Sequence, residues 1–299
     1  MLGPDHPDTL TTRNNVADLA GRTGDVTEAR RLLEELLTDQ QRVLGPDHPH
    51  TLTTRSNVAR WAGETGDVTE ARRLFEELLT DQQRVLGPDY PDTLTTRNNV
   101  AYWAGQAGNV TEARRLTEEL LIDRQRVLGP DHPHTLSARG HIAYWAGETG
   151  DVTEARRLFE ELLTDQQRVL GPDHPHRLTT RRHIAYWAGE TGDVTEARRL
   201  FEELLTDQQR VLGPDHPDTL ITRSNIAYWT VRAGDVTEAR RLFDRLLTDQ
   251  ERVLGPNHPT RSTPVTPFAR IGPIGFRGVE GGGTSQLGPH SRAALGSCI

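Results

Sequence analysis

The sequence predicts an all-α fold, a one-dimensional stack of six helical hairpins, and three observations lead there. A hexapeptide L-G-P-[DN]-[HY]-P recurs from Leu2, Leu44, Leu86, Leu128, Leu170, Leu212 and Leu254, always 42 residues apart. Every interval carries two apolar patterns of helical period. The same helix-starting and helix-stopping residues punctuate each of them. A period of this length marks a repeat architecture, in which a unit too small to bury its own apolar face is covered by its neighbours. It overrides the two globular domains that 299 residues would otherwise lead one to expect.

The first copy serves for all. Asp5 is placed to cap a first helix that tolerates Pro7 in its opening turn and runs through Leu10, Arg13, Val16, Ala17 and Ala20 towards Gly24. A second helix opens on Asp25 and Glu28, a D-x-x-E arrangement resembling a capping box. Its apolar stripe is Val26, Ala29, Leu32, Leu33, Leu36, Leu37 and Val43. Gly45 supplies a left-handed cap and Pro46 forbids continuation. The fourth and fifth copies differ only at Thr135/Arg177, Ser137/Thr179, Ala138/Thr180 and Gly140/Arg182, as after recent duplication. Thr117 stands where other copies carry Leu33, Phe75, Phe159, Phe201 or Phe243, so the third hairpin is the expected soft point. The array is assigned to residues 1–260, with a partial seventh copy from Leu254. Residues 261–299 are rich in Pro and Gly, lack helical period and are expected to be disordered.

Composition removes whole classes of function. Against 43 acidic residues stand 35 basic ones, a formal charge of -8, so no global basic field exists to hold nucleic acid or an anionic membrane. All 35 are arginine. A phosphate-binding G-x-x-x-x-G-K-[ST] loop, a Schiff-base lysine and a Ser-Lys dyad each need a lysine. Cysteine is limited to Cys298, which provides neither an internal disulfide nor a thiolate cluster. No apolar run approaches the roughly 20 residues of a membrane span, and the N-terminal stretch lacks a signal-peptide pattern; a cytoplasmic location is expected. His6, His48, His132, His174, His216 and His258 belong to the hexapeptide, but Tyr90 takes the same place in the third copy. A position that accepts tyrosine is a poor metal ligand, so neither a metal nor another cofactor is expected. Without H-E-x-x-H, G-x-S-x-G or a glycine-rich dinucleotide loop, the chain is read as no enzyme.

The run N-V-A-x-[LW]-A-x-x-x-G-x-x-x-E-A resembles the tetratricopeptide repeat, with Val16, Ala17, Gly24, Ala29, Leu33 and Leu36 on its small and apolar positions. The 42-residue form with L-G-P-D-H-P is similar to kinesin light chain repeats and their bacterial relatives. The resemblance implies an α-solenoid, a right-handed superhelix whose concave face is lined by the first helices and binds a peptide or protein. It implies that Asn15, Asn57, Asn99, His141, His183 and Asn225 reach the bound backbone. An amide suits that task by offering both a donor and an acceptor; the alternative is that these residues only bond neighbouring helices.

Three residues further on, Asp18, Arg60, Tyr102, Tyr144, Tyr186 and Tyr228 share that face. Four successive tyrosines read as a recognition strip, combining apolar area with a polar tip; packing between hairpins is the alternative. Asn14, Ser56, Asn98, Gly140, Arg182 and Ser224 vary beside them. Relatives often have tyrosine where Ala20 stands, while here the preceding position runs Leu19, Trp61, Trp103, Trp145, Trp187 and Trp229. These tryptophans are expected to pack between helices and fill the volume the alanine gives up. The ladder Arg13, Arg55, Arg97, Arg139, Arg181 and Arg223 is expected to pair with nearby acids such as Asp8, the alternative being a clamp for a partner's carboxylates. Glu34, Glu35 and Asp39 are assigned to a solvated outer face.

The leading expectation is therefore an interaction scaffold or adaptor. Two others stand beside it: the sensor segment of an NB-ARC-type signalling NTPase without its nucleotide-binding module, and a non-functional remnant of a repeat gene. The second helix at Val236 to Val253 has no further complete copy to cover Leu242, Phe243, Leu246 and Leu247, so the expectation is either a fragment of a longer array or end-to-end self-association through this helix.

Overall fold

The computed structural model describes residues 3–254. The seventh hexapeptide beyond Leu254 and the tail at 261–299 lie outside the described residues. Among those described there are twelve α-helices and no strand: α1 (Pro7–Arg22), α2 (Val26–Val43), α3 (Pro49–Glu64), α4 (Val68–Val85), α5 (Pro91–Gln106), α6 (Val110–Leu128), α7 (Pro133–Glu148), α8 (Val152–Leu170), α9 (Pro175–Glu190), α10 (Val194–Val211), α11 (Pro217–Arg232) and α12 (Val236–Leu254). They form six hairpins stacked as a right-handed α-solenoid.

Local chemistry explains the boundaries, with one correction. The proline of each hexapeptide is the first helical residue, where no donor is lost. The cap before it is His6 and not Asp5: His6 Nδ1 accepts the Asp8 amide at 3.2 Å. His48, His132, His174 and His216 do the same, whereas Tyr90 makes no side-chain cap bond. The histidines of the hexapeptide are thus helix caps. Asp5 is an ion-pair partner of Arg42 instead. Asp25 caps α2 as expected, accepting from the Glu28 amide at 3.1 Å. The reciprocal half of the capping box is not formed: the Asp25 amide donates to the Ala20 carbonyl at 3.0 Å, and the Glu28 carboxylate is held by Arg31. Gly45, with φ 92°, provides the left-handed turn after α2 that a side chain would resist.

Each helix packs on the helices before and after it in sequence, and successive first helices also touch, α1 on α3 and α7 on α9. First helices therefore lie on the inner side of the curve. Hairpins are joined by one repeated device. Trp61, Trp103, Trp145, Trp187 and Trp229 each press an indole onto a glycine of the preceding first helix, at Gly21, Gly63, Gly105, Gly147 and Gly189 respectively; a Cβ built on any of these glycines would fall inside the ring. The tryptophans are inter-helix packing, but the space they occupy is made by the preceding hairpin's glycine rather than by the alanine beside them. Thr117 lies buried where Phe75, Phe159 and Phe201 sit, and donates its hydroxyl to the Ala113 carbonyl at 2.7 Å.

The arginine ladder is structural, with a different partner from the one the sequence offered. Arg13, Arg55, Arg97, Arg139, Arg181 and Arg223 bind Asp39, Asp81, Asp123, Asp165, Asp207 and Asp249 at 2.6–2.8 Å, not Asp8. Asp39 is accordingly no part of a solvated outer face, although Glu34 and Glu35 are exposed there. Arg42 completes a four-charge chain, bridging Asp39 to Asp5 of the linker. Arginine bonds hold the Asp5 and Asp39 carboxyls below the usual carboxylate range. Such exposed pairs contribute little singly; in every hairpin the network ties the linker before the first helix to the end of the second.

Candidate partner-binding face

The inner face is built from one turn-spaced set on every first helix, represented in α3 by Thr53, Ser56, Arg60 and Glu64, since residues three and four apart share a helix face. A frame repeated every 42 residues brings the equivalents into rows running along the solenoid. One row is Asp18, Arg60, Tyr102, Tyr144, Tyr186, Tyr228. Within it Arg60 forms an ion pair with Asp18 and lies 4.4 Å over the Trp61 ring. Each tyrosine sets its ring edge-on to the tryptophan that follows it, with centroids 4.8–4.9 Å apart. Tyr144 and Tyr228 are buried, while Tyr102 and Tyr186 keep part of their surface open.

The amide and imidazole row is placed differently from the partner-facing position the sequence led us to expect. Asn15 is exposed, but Asn57, Asn99, His141, His183 and Asn225 are buried in the seam between successive first helices. Asn57 Nδ2 donates to Asn14 Oδ1 at 3.1 Å, and His141 Nδ1 is hydrogen-bonded to Asn98 Oδ1 at 3.1 Å. This bond needs an amide on the preceding helix. Where that helix offers Ser56 or Arg182, Asn99 Nδ2 and Asn225 Nδ2 find no acceptor. Where it offers Gly140, neither ring nitrogen of His183 is bonded; the imidazole is fully buried and stacks on Phe159, 4.7 Å away and 5° from parallel.

Burial holds the His183 pKa well below its ordinary value, with Arg182 and His141 acting in the same direction. The unfolded chain therefore binds a proton that the folded chain refuses. Stability is fully present above the unfolded value of about 6.5 and falls as pH drops through it. His183→Leu is expected to raise stability by about 1 kcal/mol at pH 7.5, because two unbonded polar atoms leave the core. The gain should widen at pH 5.5, as read by thermal melts of both proteins at the two pH values. A variant less stable than wild type at both would show that the imidazole has a bond this geometry lacks.

The electrostatics of the face are mixed. Burial raises the pKa of Asp92, and the protein surrounding Glu64 raises its carboxyl despite its access to water. The Tyr102 hydroxyl is pushed up to about 12, by burial first and by Glu64 second. Further along, Arg182 pairs with Asp218 across hairpins at 3.3 Å. The row Arg22, Glu64, Gln106, Glu148, Glu190, Arg232 is a feature that sequence reasoning missed; its change of charge between otherwise similar copies is the signal that could have found it. Hydroxyls, open aromatic edges and carboxylates in rows can bind a chain segment by hydrogen bonds and apolar contact. Among the described residues no group of three or more His, Cys, Asp or Glu side chains is gathered to hold a metal ion, and no helix is long and apolar enough to cross a membrane.

Comparison with known proteins agrees with this architecture. A family model described as Tetratricopeptide repeat matches residues 8–80, 137–206 and 182–235, and a second of the same description matches 93–134 and 219–260. No curated protein matches in sequence. Among solved structures, a Podospora anserina kinesin light chain-type protein with nearly identical TPR-like repeats is 29% identical, covering 69% of this chain and 97% of that one, with a TM-score of 0.57. BtubC (BKLC) from P. vanneervenii is 21% identical, covering 84% and 94%, with a TM-score of 0.57. A Rap protein complexed with competence and sporulation factor is 11% identical, covering 82% and 65%, with a TM-score of 0.63.

Proposed function

Because the chain belongs to the tetratricopeptide repeat family, we propose that it is an interaction scaffold that holds a peptide or protein segment along the inner face of its first helices. The observation that carries this reading is an inner row that changes from copy to copy over a frame that hardly does. Ala17, Ala29 and Leu36 recur unchanged in every copy, whereas the inner row runs Asp18, Arg60, Tyr102, Tyr144, Tyr186, Tyr228. A frame kept constant under a changing inner row is what recognition of one particular segment requires. In this reading Asn15, Tyr102 and Tyr186 touch the partner. Asn57, Asn99, His141, His183, Asn225, Tyr144 and Tyr228 form the wall beneath it. The chain acts by binding and not by catalysis, in the cytoplasm, and its charge of -8 disfavours nucleic acid and anionic membranes.

The Rap protein, with its bound factor, is a precedent for a partner on this fold; at 11% identity it is a likeness in fold alone. The same holds for the sensor of a signalling ATPase from Pyrococcus horikoshii, 10% identical and covering 85% of this chain and 37% of that one, with a TM-score of 0.57. Sensing within a signalling NTPase therefore stays the second reading.

A photocrosslinker tests the first. With p-benzoylphenylalanine replacing Tyr186, a discrete protein from the source lysate should crosslink. The same group replacing Glu160, on the exposed side of α8, should capture nothing in common. The double variant Tyr102→Ala, Tyr186→Ala should weaken binding of the identified protein by about tenfold or more, as truncated aromatic anchors do, with helicity unchanged. Equal capture from both faces, or no effect of the double variant, would remove the inner face as the site.

A further inference from the structure

Inside the array every junction pairs a tryptophan with a glycine, but the two outermost described hairpins break that rule in complementary ways. In α1 the tryptophan position is Leu19, and in α11 the glycine position is Val231. A large and an absent side chain are replaced, at the two ends, by two of middle size. We propose that these ends fit each other: a second copy of this chain docks head to tail, its α1 seated against α11 and α12 of the first, with Leu19 against Val231.

Three further observations point to the same occupant. The faces are open and apolar. Val16 and Leu19 are 55% and 60% exposed where their internal equivalents Val58 and Trp61 are 6% and 7%. Opposite them, Val231 and Leu247, 42% and 50% exposed, line a cleft of about 400 Å³ with Phe243, Leu246 and Tyr228. Second, this cleft continues an established interface. It is the surface that each earlier hairpin presents to the first helix of its successor, as Leu33, Ala17 and Ala29 do to Val58 and Trp61. Third, the charges match. At one junction Arg72 binds Glu112 of the following hairpin with two bonds of 3.0 Å, and at others Arg30, Arg114 and Arg156 act on Glu70, Glu154 and Glu196 through charge. The equivalent of Arg72 in the last described hairpin is Arg240, whose side chain is 85% exposed and whose nearest carboxylate, Asp244, lies 4.0 Å away. The equivalent of Glu112 in the first hairpin is Glu28, held by Arg31 as Glu70 is by Arg73, so the second copy brings an acidic pair partner within the field of Arg240. The contact is heterologous, and a solenoid joined in this way does not close, so it extends into open chains.

Sedimentation velocity of the full chain at about 100 μM, a concentration that reports even weak association, should show dimers and longer species. Leu19→Asp and Leu247→Asp each change an exposed side chain, so helicity should be retained. Each should be monomeric alone, and their equimolar mixture should form a dimer that grows no further, one good head meeting one good tail. The size match has its own test. Leu19→Trp should weaken association about tenfold by overpacking and Val231→Gly about fivefold by leaving a void, while the double variant, rebuilding the internal pair, returns to within about threefold of wild type. A wild type that stays monomeric overturns the proposal, because the cleft is then covered from within the chain or left empty. So does a Leu19→Asp protein that still self-associates, which would mean that like ends meet, and so do size variants whose effects simply add.

Discussion

Trp145→Ala is expected to cut the array in two. The indole is 2% exposed and couples the third and fourth hairpins, lying over Gly105 of α5 and edge-on to Tyr144 of its own helix. Truncating a buried tryptophan costs about 3–5 kcal/mol, because contacts are lost and the void over Gly105 cannot be refilled. Position decides how that loss appears. Stability in a solenoid is nearly a sum of hairpin terms and nearest-neighbour terms, and the α6 side of this junction already carries Thr117 where Phe75, Phe159 and Phe201 sit elsewhere. Removing the indole lowers the weakest coupling, so hairpins one to three and four to six should unfold separately. Urea titration followed by circular dichroism should resolve two transitions in the variant and one in wild type. Limited proteolysis should cut the variant first in the linker between α6 and α7. A single transition displaced by less than about 1 kcal/mol would show that the tryptophan does not couple the hairpins.

The converse substitution attacks the same device from the other side. Gly147→Val places branched carbon where the Trp187 ring lies, and nothing there can move cheaply, because the indole is itself buried between two helices. Overpacking of this kind costs about 3 kcal/mol or more. Adding Trp187→Leu should recover at least half of the loss, since it recreates on one junction the Leu and Val sizes found at Leu19 and Val231. Thermal melts of wild type, single and double variants at one protein concentration measure this. A single variant as stable as wild type would mean that the helices stand farther apart than the packing requires.

The amino-acid sequence alone determined the class of fold, the number of hairpins and nearly every helix boundary. Those features depend on local chemistry repeated at fixed spacing: proline at a first helical position, a glycine with positive φ after the second helix, and an apolar stripe of helical period. It also favoured a framework role for the tryptophans and arginines, with a carboxylate clamp left open for the arginines. What it left open were partners, because a side chain's partner is chosen by the approach of another segment. Asp8 and Asp39 are equally acidic on paper, and only the crossing of α1 and α2 brings Asp39 to Arg13, 26 positions away. Asp5 and His6 both look like caps until the linker turns His6 toward the Asp8 amide and Asp5 toward Arg42.

The inner face divided in the same way. That the tyrosine and asparagine rows share one helix face was legible from their spacing, yet which of them meet water was settled by how closely successive first helices approach, and that approach is permitted by glycines whose role the sequence did not disclose. Tertiary packing put the asparagine row into the seam and left parts of Tyr102 and Tyr186 open. The physical reason is that periodicity fixes the direction of a side chain around its own helix, whereas burial depends on the distance to the next helix, and that distance is set by the smallest residues between them.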